Sequence, residues 1–296
     1  MATLNKQVWI DQILEGFYPD SSFLKYAKDF SGLVEYDKIN MAEAGIDPNV
    51  LINNTTYPIK VVQRIDTPIS IELDKFETEN TLIRRPEVIE YSYDQLESVI
   101  RGHRQSLKSK TEEKAAHAFS PQKNTEFTPV IETTGKDTGG RKRLTFEDII
   151  TLKGIFDSVD IPLEDRFLVL SPEHATDLLL EDIKLFKDLT NIKDGKPFNF
   201  AGFSMLQFSK MPKYEINSTS KVLEKVAFGA ETTSTQFCSF AFHADEVMKA
   251  DGEMFMYANE NDAKERGTIV GFDKRFIAVP MRNKGIGAIV SGKANS

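Results

Sequence analysis

One cysteine, Cys238, occurs in 296 residues, so an internal disulfide framework and a zinc site built from several cysteines are both excluded. It stands in the apolar run Phe237-Cys238-Ser239-Phe240-Ala241-Phe242, where a small buried thiol is the ordinary reading. Positive charge is in deficit too: 37 Lys and Arg face 45 Asp and Glu, a net charge of −8. Tight phosphate binding draws on clustered cations, so this balance argues against direct, tight nucleic-acid binding while allowing loose enclosure. Long apolar runs are missing as well, none approaching the roughly 20 residues that cross a bilayer. The N-terminus as given, Met1-Ala2-Thr3-Leu4-Asn5-Lys6-Gln7, has no basic start followed by an apolar core. Folding in a cytoplasm is the expectation.

Signatures of catalysis are also lacking. Of the four histidines, His103, His117, His174 and His243, no two have the i, i+4 spacing of a helical metal pair. His103 reads as a core or interface histidine and His174 as a first-turn residue. No Gly-x-Ser-x-Gly is present. Gly135 and Gly140 have the spacing of a phosphate-binding loop, between a strand and a helix. Arg141 and Lys142, however, occupy the positions where Lys and a hydroxyl residue would be needed. Lys284-Gly285-Ile286-Gly287-Ala288 lacks the third glycine of a dinucleotide fingerprint and precedes a strand pattern. No catalytic, cofactor-binding or metal residue is assigned, no cofactor is expected, and no enzyme is supported.

With 40% hydrophobic and 28% charged residues, the chain falls in the globular range and is long enough for a sizeable core. Residues 1–57 mix aromatics (Trp9, Phe17, Tyr18, Phe23, Tyr26, Phe30, Tyr36) with many turn formers, so those rings need the chain's own body or a neighbour to pack against. Ile59 to Tyr91 is strand-like, with Ile69-Ser70-Ile71-Glu72-Leu73 alternating, and suggests a projecting hairpin. Asp94 and Glu97 form a capping-box pattern before Leu96, Val99, Ile100, His103 and Leu107, predicting a long helix to Ala115-Ala116-His117 with one apolar stripe. A strand is predicted over Phe127 to Glu132. A second helix is predicted from Thr145, with Phe146, Ile149, Ile150 and Ile155 as core candidates. Phe167 to Leu170 reads as a buried strand, and Ser171-Pro172-Glu173 opens a third helix whose apolar side is Ala175, Leu178 and Leu179. The remainder is β-rich: Phe200–Phe208, Lys225–Ala230, Gln236–His243, Met254–Tyr257, Thr268–Val279 and Gly285–Val290. The fold class is α+β.

This succession resembles the major capsid protein of tailed bacteriophages, with the Hong Kong 97-type capsid fold. Residues 1–57, including Ala42-Glu43-Ala44-Gly45-Ile46 and Leu51 to Pro58, resemble that family's N-terminal arm. Residues 58–92, with Asp66-Thr67-Pro68 and Thr78-Glu79-Asn80-Thr81, resemble its projecting β-hairpin loop. Residues 93–144 resemble the peripheral domain with its spine helix, and 145–250, with Phe167 to His174, Ala201-Gly202-Phe203 and Met211-Pro212, the axial domain. Residues 251–296 would supply return β-strands to both.

The resemblance implies a structural protein that assembles with itself, as hexamers and pentamers, into an icosahedral head shell around double-stranded DNA. It implies a portal and possible scaffolding or decoration proteins as partners, no membrane, and a place in the virion after assembly in the host cytoplasm. A shell closes through many moderate contacts between different patches. Expected inter-subunit residues are Trp9, Phe17 and Phe23 in the arm, Leu73, Phe76, Arg84 and Arg85 in the hairpin, and Arg101 and Arg104 on the spine helix. The alternatives are an encapsulin-like compartment shell that encloses cargo protein, and a soluble enzyme using the Gly135 to Lys142 loop.

Overall fold

The computed structural model describes residues 10, 22–43, 67–84, 95–181, 198–217, 221–232 and 236–293. Short strands β1 (Lys28–Asp29) and β2 (Val34–Glu35) precede β3 (Lys38–Glu43) and β4 (Thr67–Glu72). β3 and β4 pair antiparallel, with Ile39 opposite Ile71 and Met41 opposite Ile69. β5 (Asp74–Glu77) and β6 (Thr81–Arg84) follow. The hairpin expected within Ile59 to Tyr91 is therefore paired differently. β4 takes its partner from residues 38–43, whereas β5 and β6 both lie on the late strand Gly267–Pro280. Directly opposed apolar residues fix this register, since a one-residue slip would turn the buried Ile39 away from the core.

Helix α1 (Gln95–Phe119) has 25 residues and is about 38 Å long. Its first half buries Ile100, His103 and Leu107, as the apolar stripe predicts; its last turns bury Ala115, Ala116 and Phe119. The proposed cap at Asp94 lies outside the described residues. After α1 come β7 (Val130–Glu132), the hairpin β8 (Asp137–Thr138) and β9 (Arg141–Lys142), and α2 (Phe146–Ser158). Gly139 and Gly140, at φ 59° and 83°, make the left-handed two-residue turn of that hairpin. Thr145 caps α2 reciprocally with Asp148. On α2 the buried apolar residues are Phe146, Ile149, Leu152 and Phe156, whereas Ile150 is exposed and Ile155 half-buried. The core face is thus rotated from the expected one, toward positions three and four residues apart from Ile149.

β10 (Arg166–Leu170) leads to α3 (Pro172–Glu181), whose first turn is held by the Ser171 hydroxyl accepting from the His174 amide at 3.2 Å. Then come β11 (Phe198–Phe200), β12 (Phe203–Gln207), the hairpin β13 (Tyr214–Ile216) and β14 (Leu223–Lys225), β15 (Cys238–His243), β16 (Val247–Asp262), β17 (Gly267–Pro280) and β18 (Ile286–Val290). The strand expected over Lys225 to Ala230 lies earlier, at β14, because Tyr214 and Lys225 pair across the hairpin.

Two sheets organise the chain. The six-stranded sheet runs β11-β12-β10-β15-β18-β7. Every residue of β10, β15 and β18 is buried, the mark of a sheet covered on both faces. Ile149, Leu152 and Phe156 of α2 and Leu178 of α3 pack against Leu168, Leu170, Phe203 and Ile289 on one face. Phe23, Leu24 and the end of α1 pack against Phe167, Val169, Phe240 and Phe242 on the other. The five-stranded sheet runs β1-β16-β17-β5, with β6 also on β17. The first half of α1 covers it through Ile100 and Leu107 against Met254, Met256, Val270 and Phe272. α1 therefore spans both sheets and fixes one relative to the other.

Candidate interaction surfaces

The groups that most resemble reactive chemistry are all engaged in structure. Arg141, in the glycine-rich hairpin, donates to both carboxylate oxygens of Asp177, at 2.6 and 2.9 Å, and Asp177 also accepts from the Leu144 amide at 3.1 Å. A phosphate ligand would have to displace that nearly buried pair. His174 is fully buried, with Nδ1 2.7 Å from the Ser239 hydroxyl and Nε2 2.9 Å from the Ser291 hydroxyl. Burial holds its pKa down at about 4, while Asp177 raises it and Arg141 lowers it. No path to solvent makes this a nucleophilic Ser–His pair; it ties α3 to β15 and to the segment after β18. Cys238 is buried, as expected, and burial pushes its thiol up to about 12. Lys225 donates to the His117 carbonyl at 2.6 Å, and burial lowers its pKa to about 8. Among the described residues no cluster of three or more His, Cys, Asp or Glu could hold a metal.

The nine expected contact residues are dispersed. Trp9, Phe17 and Arg85 lie outside the described residues. Phe23, 2% exposed, packs edge-to-face on Phe119, Phe208 and Phe240, with centroids 5.3–6.0 Å apart. Leu73 is likewise buried, beside Met248, Ala250 and Ile277. Both side chains belong to the chain's own core, so neither presents a surface to a neighbour; an aromatic on an irregular segment can find its partners intramolecularly. Phe76 is half-buried, Arg84 and Arg101 are exposed, and Arg104 is half-buried.

A groove of about 790 Å³ separates α1 from the β5–β6 turn, lined by Phe76, Val99, His103, Leu107, Lys110 and Phe228. His103 is 6% exposed and sits 5.1 Å from the Phe272 ring, and among the described residues its Nε2 has no hydrogen-bond partner. Burial lowers its pKa. Leu179, expected on the apolar side of α3, is exposed, and sequence reasoning missed the other exposed apolar residues: Ile216 and Val222 at the β13–β14 hairpin, Leu180 on α3, and Phe255 and Tyr257 on β16. For Phe255 and Tyr257 alternation along β16 is the one signal, and it is hidden because Met254 and Met256 on the buried face are also apolar.

No family model matches the chain, and no curated protein sequence does. Solved structures match over nearly its whole length. A structure of Mycobacterium phage Che8 has a TM-score of 0.63 at 12% identity, covering 91% of this chain and 90% of that one. The capsid of cyanophage P-SCSP1u has a TM-score of 0.62 at 14% identity, covering 92% and 87%. A virus-like particle from Pyrococcus furiosus has a TM-score of 0.57 at 11% identity, covering 94% and 95%. At such identities the likeness speaks for architecture. What the likeness gives is the fold: the chain has the Hong Kong 97-type capsid fold.

Proposed function

We propose that this chain is a major capsid protein, the repeating subunit of an icosahedral shell around the double-stranded DNA of a tailed phage. The observation that carries this reading is the likeness to capsid structures over about nine-tenths of the chain, 92% in the cyanophage case. In this reading α1 with the five-stranded sheet is the peripheral domain, and the six-stranded sheet with α2 and α3 is the axial domain. The ribbon β3–β4 carries the projecting loop. Phe76, Arg84, Arg101 and Arg104 retain exposed or half-exposed surface for neighbouring subunits, and Trp9, Phe17 and Arg85 are proposed with them. Scattered exposed apolar residues, from Ile216 to Tyr257, suit a subunit with several different neighbours. The net charge of −8 suits a wall that does not grip the DNA it encloses. The chain performs no reaction and takes no cofactor; its partners are itself, a portal, and any scaffolding or decoration proteins.

A second reading, an encapsulin-like compartment, is favoured by the likeness to the Pyrococcus furiosus particle. Electron microscopy and light scattering of the expressed chain test the shell, and the contents of the particles separate the two readings. Packaged nucleic acid in particles from infected cells supports the phage capsid. A stoichiometric cargo protein supports the compartment.

A further inference from the structure

The segment before β1 meets the body of the chain at one buried carboxylate. Ser22 stands at the cap position of a 3-10 turn, Phe23–Tyr26, but its hydroxyl makes no bond to that turn. It donates instead to Glu112 Oε1 of α1, at 2.6 Å. Both side chains are buried, Ser22 at 4% and Glu112 at 8% exposure. Just beyond, Phe23 and Leu24 enter the core beside Ala115, Ala116 and Phe119 of the same helix. The two alanines are fully buried and small, which lets the turn approach α1 closely. Thr111 offers Glu112 nothing, because its hydroxyl is committed to the Leu107 and Lys108 carbonyls at 3.0 and 2.9 Å. Farther along, the segment is held again on β16: the Phe30 amide donates to the Lys249 carbonyl, and the Ser31 hydroxyl accepts from the Asp251 amide, each at 2.9 Å.

A glutamine at position 112 would accept the same hydroxyl without taking a charge out of water. Glutamate makes the contact answer to protons. Burial raises its carboxyl above the ordinary 4.5, against the Ser22 hydroxyl and Lys108, which lower it. Other charged groups on the packed elements are engaged or face solvent. Asp74 of β5 pairs with Lys114 at 2.8 Å, and Glu113 takes Lys110 and Lys210 at 2.9 and 3.8 Å. Lys28 meets Asp245 at 2.9 Å, and Lys25 is exposed.

When the turn lifts from α1, Glu112 meets water and returns to its ordinary value. Between that value and the raised one, the closed form keeps a proton that the open form releases. The advantage of the closed form is therefore complete below pH 4.5 and is lost as pH rises through the raised value. Acid tightens this contact, the reverse of its effect at His174.

We propose that Glu112 is a proton-controlled clasp: protonated, it holds Ser22 to Ala27 against α1, and ionised, it lets that turn open locally. The device belongs to the single subunit and stands independently of the shell reading. Opening withdraws Phe23 from the rings of Phe119, Phe208 and Phe240, so the open form is a minor population that amide exchange detects.

Hydrogen exchange of the unassembled full-length chain tests it, read by mass spectrometry on the peptide containing residues 22–27. There the Lys25 and Ala27 amides donate to the Ser22 and Leu24 carbonyls at 3.2 and 3.4 Å. Wild type, Glu112→Gln and Ser22→Ala are compared at pH 5, 6 and 7.5. Comparison at equal pH cancels the intrinsic exchange rate and the titration of His174. Exchange of wild type relative to Glu112→Gln should rise about threefold or more between pH 5 and 7.5. A ratio that is flat or falls over that range overturns the clasp. If Glu112→Gln is unfolded by circular dichroism, Ser22→Ala decides. It removes the donor that favours the ionised carboxylate, so its exchange relative to wild type should rise with pH. A flat ratio there overturns the clasp equally.

Discussion

His174 lies with no exposed surface between Ser239 and Ser291, and its pKa is depressed from 6.5 to about 4, chiefly by burial. In the unfolded chain the imidazole takes up a proton near pH 6.5; in the folded chain it stays neutral until about pH 4. Above pH 6.5 the residue is neutral in both states and costs nothing. Below it, the unfolded state gains a proton that the folded state refuses. Stability then falls by about 1.4 kcal/mol per pH unit, reaching a loss of about 3 kcal/mol near pH 4. His174→Gln keeps a polar side chain toward the two serines and removes the titration. At pH 7 the variant should be about 1–3 kcal/mol less stable, since one hydroxyl loses its partner. Urea unfolding of unassembled subunits at pH 7, 6 and 5 measures both proteins. His103 and His117, also lowered by burial, titrate in both and cancel in the difference. The stability gap between wild type and variant should narrow by about 2 kcal/mol between pH 6.5 and 5. A gap that stays constant across that range would show that His174 is not held neutral by burial and would refute the reasoning.

Phe23→Ala should destabilise the subunit by about 3–5 kcal/mol in the same assay, because it empties a site lined by three aromatic rings; a near-neutral effect would return Phe23 to the list of contact residues. Asp177→Ala leaves Arg141 without its bidentate partner, in a site where their side chains are 13% and 3% exposed, and should cost about 3–5 kcal/mol, read as a lower urea midpoint. If instead Asp177→Ala raised binding of inorganic phosphate without loss of stability, the glycine-rich hairpin would deserve its ligand-binding reading after all. Cys238 should resist an aromatic disulfide reagent at pH 8 in the folded chain and react at once in urea, since its thiol is buried and raised to about 12; fast reaction in buffer would contradict the burial.

Local chemistry was legible from the residues. Thr145 with Asp148, and Ser171-Pro172-Glu173, announce their helix starts because capping is settled within four residues. The stripe Ile100, His103 and Leu107 announced α1 because a helix 25 residues long repeats its phase many times. Shorter α2 offered less, and Ile150 was exchanged for Leu152 and Phe156. What the residues did not carry was partnership across distance. β4 pairs with β3 across residues 44–66, and β5 and β6 wait nearly 200 residues for β17. Arg141 meets Asp177 36 residues on, which turned a glycine-rich loop from a possible cradle into a pinned hairpin. Phe23 and Leu73 were singled out as contacts, but nothing in a stretch of sequence distinguishes a ring that packs at home from one that packs on a neighbour.

The most direct test of the central claim is cryo-electron microscopy of the full-length chain expressed alone and, in parallel, of particles from its natural source. The account predicts closed icosahedral shells, or hexamers and pentamers, in which α1 bridges the two sheets of each subunit. A chain that stays monomeric alone, and is absent from any particle at its source, would contradict it.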